Sequence, residues 1–145
     1  MAKTVIRAGE SGAGQAAKIC NNMLLGIHMI GTCEAFALAE KLGLDAQSFF
    51  DISSVSSGQN WSMTAYCPVK GVGPESPADR GYEGGFATDM MLKDLRLAKE
   101  AAMSAGGVTP LGGHSEALYA MFSEMGHGGS DFSAIISMIK GESKS

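Results

Sequence analysis

Lys18 holds the most chemical promise in this chain. It precedes a stretch that runs to Cys33 with no Asp, Glu, Lys or Arg, and Asn21 and Asn22 follow it at i+3 and i+4. On a helix the three therefore share one face. A lysine in the first turns meets the positive end of the helix dipole. That end and partial burial together disfavour the ammonium, the setting in which an amine exchanges protons near neutral pH. The competing reading is that Lys18 lays its stem along the helix and leaves its charge in water.

A second constellation, Lys93-Asp94, is flanked by Met90, Met91, Leu92 and Leu95. Adjacent helical residues point about 100° apart, so the two cannot both be central to one apolar stripe, and surface ion pairing is the plain explanation. Asn60, Trp61 and Tyr66 offer amide donors beside an aromatic wall, although a lone Trp is also a common core residue. The run Gly12-Ala13-Gly14-Gln15-Ala16-Ala17 matches G-x-G-x-x-A, with Glu34 twenty residues past Gly14. That fingerprint grips a pyrophosphate only in a turn between parallel strands, and no second strand is legible here. The glycines more simply let a ligand or another backbone approach the helix start. Cys20, Cys33 and Cys67 and the scattered His28, His114 and His127 form neither a disulfide framework nor a metal-ligand pattern, so no metal is expected.

Helical periodicity dominates the elements that must carry these residues. Residues 14–42 read as one helix on the order of 40 Å long, apolar on several faces and therefore expected to be buried all round, with Gly43 as its stop. Asp45 caps a second helix from Ala46 to about Val55, and a short helical turn follows over 61–66. Three prolines and five glycines make 67–85 an irregular loop of a length often functional or mobile. Thr88 reads as the cap of a third helix reaching Ala105, stopped by Gly106-Gly107. A fourth spans roughly 113–125 after Pro110, and Ser130 or Asp131 caps a fifth that ends by Gly141. The only β-branched cluster is Thr4-Val5-Ile6. The fold class is all-α, about five helices around one long central helix.

With 145 residues, 45% hydrophobic and 18% charged, the chain is one compact domain or part of a larger protein, not a disordered tail. A net charge of −4 with no run of Lys or Arg argues against a nucleic-acid partner. The segment 19–33 is too short and too polar to span a bilayer, and the first ten residues lack the apolar centre of a secretion signal, so a soluble protein without a membrane partner is expected.

Several of these motifs occur together and in order: residues 12–22, Asn60-Trp61, the Tyr66-Cys67-Pro68 turn, Ser76-Pro77-Ala78 with Arg80 and Tyr82, and Gly85-Phe86 through Met91-Leu92-Lys93-Asp94-Leu95. Over about 9–139 they resemble the helical C-terminal domain of the β-hydroxyacid dehydrogenases, a relative of the 6-phosphogluconate dehydrogenase-like enzymes. Within that family they are most similar to the 3-hydroxyisobutyrate dehydrogenases. The resemblance implies NAD-dependent oxidation of 3-hydroxyisobutyrate to methylmalonate semialdehyde, a step of valine breakdown. It implies that Lys18 is the catalytic lysine that takes the hydroxyl proton. Asn22, Gly14, Trp61 and Asp94 would bind substrate, and Lys93 and Phe86 would meet the cofactor. It further implies a homo-oligomer, in the cytoplasm of a bacterium or the mitochondrial matrix of a eukaryote.

Members of that family begin with a Rossmann domain that holds most of the NAD, and with a serine-glycine-glycine substrate segment; neither is found in these residues. The expected division is a lead-in over 1–13 and a helical catalytic and dimerisation domain over 14–145, inactive by itself and prone to self-association. Two other readings remain open: a reductase of tartronate semialdehyde, glyoxylate or another short β-hydroxyacid, and a non-catalytic helical dimerisation module.

Overall fold

The computed structural model describes residues 11–142. The Thr4-Val5-Ile6 cluster and most of the 1–13 lead-in lie outside them. Six α-helices and several single turns make up the described residues, and an isolated bridge between Ala87 and Asp131 is the only β pairing among them.

Helix α1, Ser11–Lys41, begins three residues earlier than its periodicity predicts and is roughly 45 Å long. Its alanines and unbranched side chains favour the helix, and its β-branched residues are scattered. Leu42 N–H still bonds Leu38 O at 2.9 Å, and Gly43 then takes φ +89°, a left-handed stop that glycine adopts without strain. One side of α1 buries Met29, Ile30, Cys33 and Phe36. The other leaves Leu24 47% and Leu38 59% exposed, so the all-round burial expected of this helix is not found. The described residues wrap one side of it only. By length and composition α1 could cross a membrane, contrary to the reading of 19–33 as too short and too polar. Its buried side is nevertheless the centre of this domain's core.

Helix α2, Ala46–Ser53, is capped as expected: the Asp45 carboxylate accepts Ser48 N–H at 2.8 Å, which holds its pKa below the usual range. Helix α3, Trp61–Thr64, is the short turn predicted there. The irregular 67–85 excursion is stitched down. Ser76 Oγ donates to Cys67 O at 2.8 Å and Tyr82 OH to Pro68 O at 2.7 Å. Asp79, in a 3-10 turn over Pro77–Arg80, accepts Gly71 N–H at 2.7 Å and Ser76 N–H at 3.0 Å.

Helix α4, Thr88–Ala105, is not capped by Thr88. Ala87 occupies the cap position, and Thr88 Oγ1 is buried without a partner. The start is fixed instead by Thr88 N–H on Ser130 O at 2.7 Å and Asp89 N–H on Gly128 O at 3.0 Å. Helix α5, Pro110–Phe122, opens on Pro110 and not near Gly113, because a proline fits the first helical turn, where its missing N–H is not needed. One wide turn, Ser123–His127, continues it and contains Gly126 at φ +98°. Asp131 then caps a 3-10 turn, Phe132–Ile135, that runs into α6, Ile136–Ile139. The predicted fifth helix is thus a 3-10 turn and a single α turn.

Helix α1 touches all five other α-helices. Its core residues meet Met91, Leu92 and Leu95 of α4, Tyr119 and Phe122 of α5, and Phe132 and Ile135. At Gly26 the helices approach closely: a Cβ there would lie 3.1 Å from Met91 Sδ and 3.3 Å from Leu95 Cδ2. That crossing fixes where the polar residues of α1 and α4 can meet.

Candidate functional site

The polar residues of α1 and α4 meet one helical turn from the crossing. Asn22 Nδ2 donates to Asp94 Oδ2 at 2.8 Å, and Asn21 Nδ2 donates to Asn22 Oδ1 at 3.3 Å. Both Asn22 and Asp94 are half-buried. A half-buried amide held by a carboxylate keeps one orientation, with one N–H left to offer a ligand. Asp94 therefore turns to α1 and not to its neighbour Lys93. Lys93 is exposed, and lines a separate depression beside Asp89, Arg96 and Glu124.

Lys18 lies one turn before Asn22 on the same face of α1, about 6 Å along the axis. It is exposed, so the partial burial expected of it is absent in the described residues. The physical reason is visible in its surroundings: a Cβ at Gly12 or Gly14 would meet nothing within 4 Å. The Gly12 and Gly14 side of the first turns faces open space, whereas Ala13 between them is buried.

Beyond Asn21 the same face opens into a groove of about 550 Å³. Asn21, Leu24, Leu25 and His28 form its α1 side, and Gln59, Asn60 and Trp61 the other. Asn60 is held by Thr32, its amide nitrogen donating to Oγ1 at 3.1 Å and its oxygen accepting from Oγ1 at 3.2 Å. Trp61 is 53% exposed, not the core residue that a lone Trp often is. Its ring stacks on Tyr66 at 5.1 Å and 23°. Tyr66 OH in turn donates to Asp131 Oδ1 at 2.6 Å. Burial, reinforced by that carboxylate, raises the Tyr66 pKa well above its ordinary value and keeps the hydroxyl a donor.

Phe86 sits apart from the groove, packed edge-on against Phe132 at 5.6 Å, with its N–H on Asp131 Oδ1 at 2.7 Å. The fold thus joins Asn22 to Asp94, with Lys18 one turn away on the same face of α1, links the pair through Asn21 to the Trp61 groove, and leaves Lys93 and Phe86 outside it. Two participants escaped the sequence reading. His28 lies seven residues, about two turns, beyond Asn21 and so on the same side of α1, a signal that was available. Asp131 was legible only as a cap, because no local pattern announces a partner 65 residues away. A larger concavity, about 730 Å³, lies at the far end of α1 among Glu34, Glu40, Lys41, Lys140 and Glu142 and contains none of the candidate residues. Among the described residues no cluster of His, Cys, Asp and Glu is placed to hold a metal ion.

The donor set suits one side of a cleft for a small polar ligand: two amides, the exposed Lys18 and an aromatic wall. Among the described residues no parallel strands surround a glycine-rich turn, the arrangement that grips a pyrophosphate. What is present fits a wall of such a cleft and not a nucleotide cradle.

Comparison with known proteins bears on the fold and the family. The model of a family described as NAD-binding of NADP-dependent 3-hydroxyisobutyrate dehydrogenase matches residues 12–139. A probable 3-hydroxyisobutyrate dehydrogenase of Mycobacterium tuberculosis is 47% identical over 97% of this chain and 47% of its own length. An NAD-dependent L-serine dehydrogenase of Pseudomonas aeruginosa is 44% identical over 93% of this chain and 45% of its own. A solved structure of the Mycobacterium tuberculosis 3-hydroxyisobutyrate dehydrogenase with L-serine superposes with a TM-score of 0.85 at 48% identity, covering 89% of this chain and 44% of that one. The chain spans about half the length of the curated relatives it matches. A helical fold matched over residues 12–139, most of the chain, by one family's model places the chain in the NAD(P)-binding 3-hydroxyisobutyrate dehydrogenase family.

Proposed function

We propose that this chain forms the substrate-facing, proton-handling wall of an NAD(P)-dependent dehydrogenase that oxidises 3-hydroxyisobutyrate to methylmalonate semialdehyde. The observation that carries the reading is the Asn22–Asp94 hydrogen bond at 2.8 Å, which fixes an amide one turn from Lys18 at the mouth of the groove. A bound nicotinamide cofactor supplies the hydride acceptor. Lys18 Nζ takes the proton of the substrate hydroxyl as the carbonyl forms, and in the reverse direction returns it. Asn22 offers its remaining N–H to the substrate, and Trp61 covers it from the side and excludes water. Gly14, without a side chain, leaves the approach to Lys18 open. Lys93, from the adjacent depression, and Phe86 serve the cofactor side.

A second reading has its own support. Within a mostly apolar groove, Asn21, His28, Gln59 and Asn60 supply polar groups that suit a 3-hydroxy acid with a polar substituent such as L-serine.

In this reading the cleft is completed by a nucleotide-holding part of the kind that fills the rest of the relatives' length, and the 145-residue chain alone has negligible turnover. The working enzyme is a homo-oligomer, in the cytoplasm of a bacterium or the mitochondrial matrix of a eukaryote. Joining residues 1–145 to the remainder of the Mycobacterium tuberculosis relative tests this directly. The chimera is expected to oxidise 3-hydroxyisobutyrate, with L-serine assayed beside it, and Lys18→Ala to lower kcat by roughly 10³-fold. Near-parental turnover in Lys18→Ala removes the lysine from the mechanism, and Lys18-dependent turnover by the 145-residue chain alone removes the need for a second part.

A further inference from the structure

Asp131 is the one buried acidic or basic side chain among the described residues, with 0% of its surface exposed. A carboxylate withdrawn from water needs a full set of donors or a cation. Here Oδ1 accepts the Tyr66 hydroxyl at 2.6 Å and the Phe86 N–H at 2.7 Å. Oδ2 accepts the Ser133 N–H at 3.0 Å and its hydroxyl at 2.5 Å. Four donors suit a group that only accepts; an amide at this place would turn its own donor toward donors.

Two of those four bonds lead to the candidate site. Tyr66 carries the stacked Trp61 ring, so a bond at its hydroxyl fixes the plane on which the groove wall rests. The Phe86 N–H lies two residues before α4, whose Asp94 holds Asn22. Simple attachment of this turn does not need the buried charge. Backbone bonds from Asp131 N–H to Tyr82 O at 2.8 Å, Phe132 N–H to Phe86 O at 2.7 Å and Thr88 N–H to Ser130 O at 2.7 Å already tie it down.

We infer that Asp131 is a positioning residue that, through the Tyr66 hydroxyl and the Phe86 amide, sets the Trp61 wall in register with the Asn22–Asp94 pair. The inference rests on the reading that Trp61 lines the substrate groove. It assigns Asp131 no contact with substrate.

Trp61 is the only tryptophan, so fluorescence excited on the red edge, where the three tyrosines do not absorb, reports this wall alone. In the 145-residue chain, Tyr66→Phe keeps the ring and removes the hydroxyl bond. A shifted Trp61 emission and about twofold stronger iodide quenching are expected, because a loosened stack admits water. In the chimera, Tyr66→Phe and Asp131→Asn are expected to raise KM for the hydroxyacid about tenfold while kcat changes less than about twofold and its pH profile stays in place. Ser133→Ala, which removes one donor on the side away from Tyr66, is expected to leave KM where it was. Unchanged emission and quenching in Tyr66→Phe overturns the inference, as does a fall in stability and kcat with KM unmoved. Should Asp131→Asn not fold, the Tyr66→Phe results decide. Retained turnover in Lys18→Ala defeats the proposed function instead, and the quenching measurement still judges Asp131.

Discussion

Asn22 illustrates how little separates a polar surface residue from a positioned one. Its side chain could rotate freely on an isolated helix, yet the Asp94 carboxylate at 2.8 Å selects one orientation. Charge-assisted bonds of this kind are about twice as strong as neutral ones. Asn22→Leu keeps similar bulk, removes both the bond and the offered N–H, and leaves Asp94 without its partner. In the chimera it is expected to lower kcat/KM by roughly 10²-fold while the fold persists by circular dichroism. A parental kcat/KM would show that the amide is only a surface tie.

At the scale of elements, the turn into α4 is the most constrained. Gly85 has φ +73°, and a Cβ there would press on the Asp131 carboxylate, come within 2.6 Å of Tyr66 Oη and within 2.9 Å of Pro77 Cγ. Gly85→Ala is therefore expected to cost about 3 kcal/mol, combining left-handed strain with overpacking, and to lower Tm by roughly 10 °C. A shift of only a degree or two would mean that the turn can relax. The same region shows which parts of the fold were readable in advance. The C-terminal end of α1, the Asp45 cap, the Gly43 and Gly106 stops and the all-α class follow from local spacing and capping chemistry, and the structure has them. Thr88 failed as a cap because its backbone is claimed by Ser130, forty-two residues away in sequence, and its hydroxyl is buried. For the site, the Lys18–Asn22 face was legible from i,i+4 spacing. Its meeting with Asp94 was not, because that depends on how α1 and α4 cross.

The whole molecule carries two further expectations. Burial pushes the Cys67 thiol from 9.0 up to about 11 and the Tyr82 phenol from 10.0 up to about 12. Both groups hold their protons more tightly folded than unfolded, so their contribution is complete below about pH 9 and is lost as pH rises toward 11 and 12. Urea midpoints should stay level below about pH 8 and fall between about pH 9 and 12, and Cys67→Ala should flatten the early part of that fall. A level profile to pH 11 would contradict the burial. Leu24 and Leu38 of α1, Ile52 of α2 and an 85% exposed Val55 put large apolar side chains in water, the kind of surface that favours association. Sedimentation of the 145-residue chain is expected to show reversible association that grows with concentration; a monomer at all concentrations would refute it. Gly26, finally, makes the crossing with α4 a fulcrum. A tilt of α1 of about one degree displaces Asn22, about 6 Å from that point, by about 0.1 Å, and Lys18, about 12 Å away, by about twice as much. Bulk added at the pivot would thus carry the amine about twice as far as the amide beside it, altering the spacing of the two from one position that touches neither.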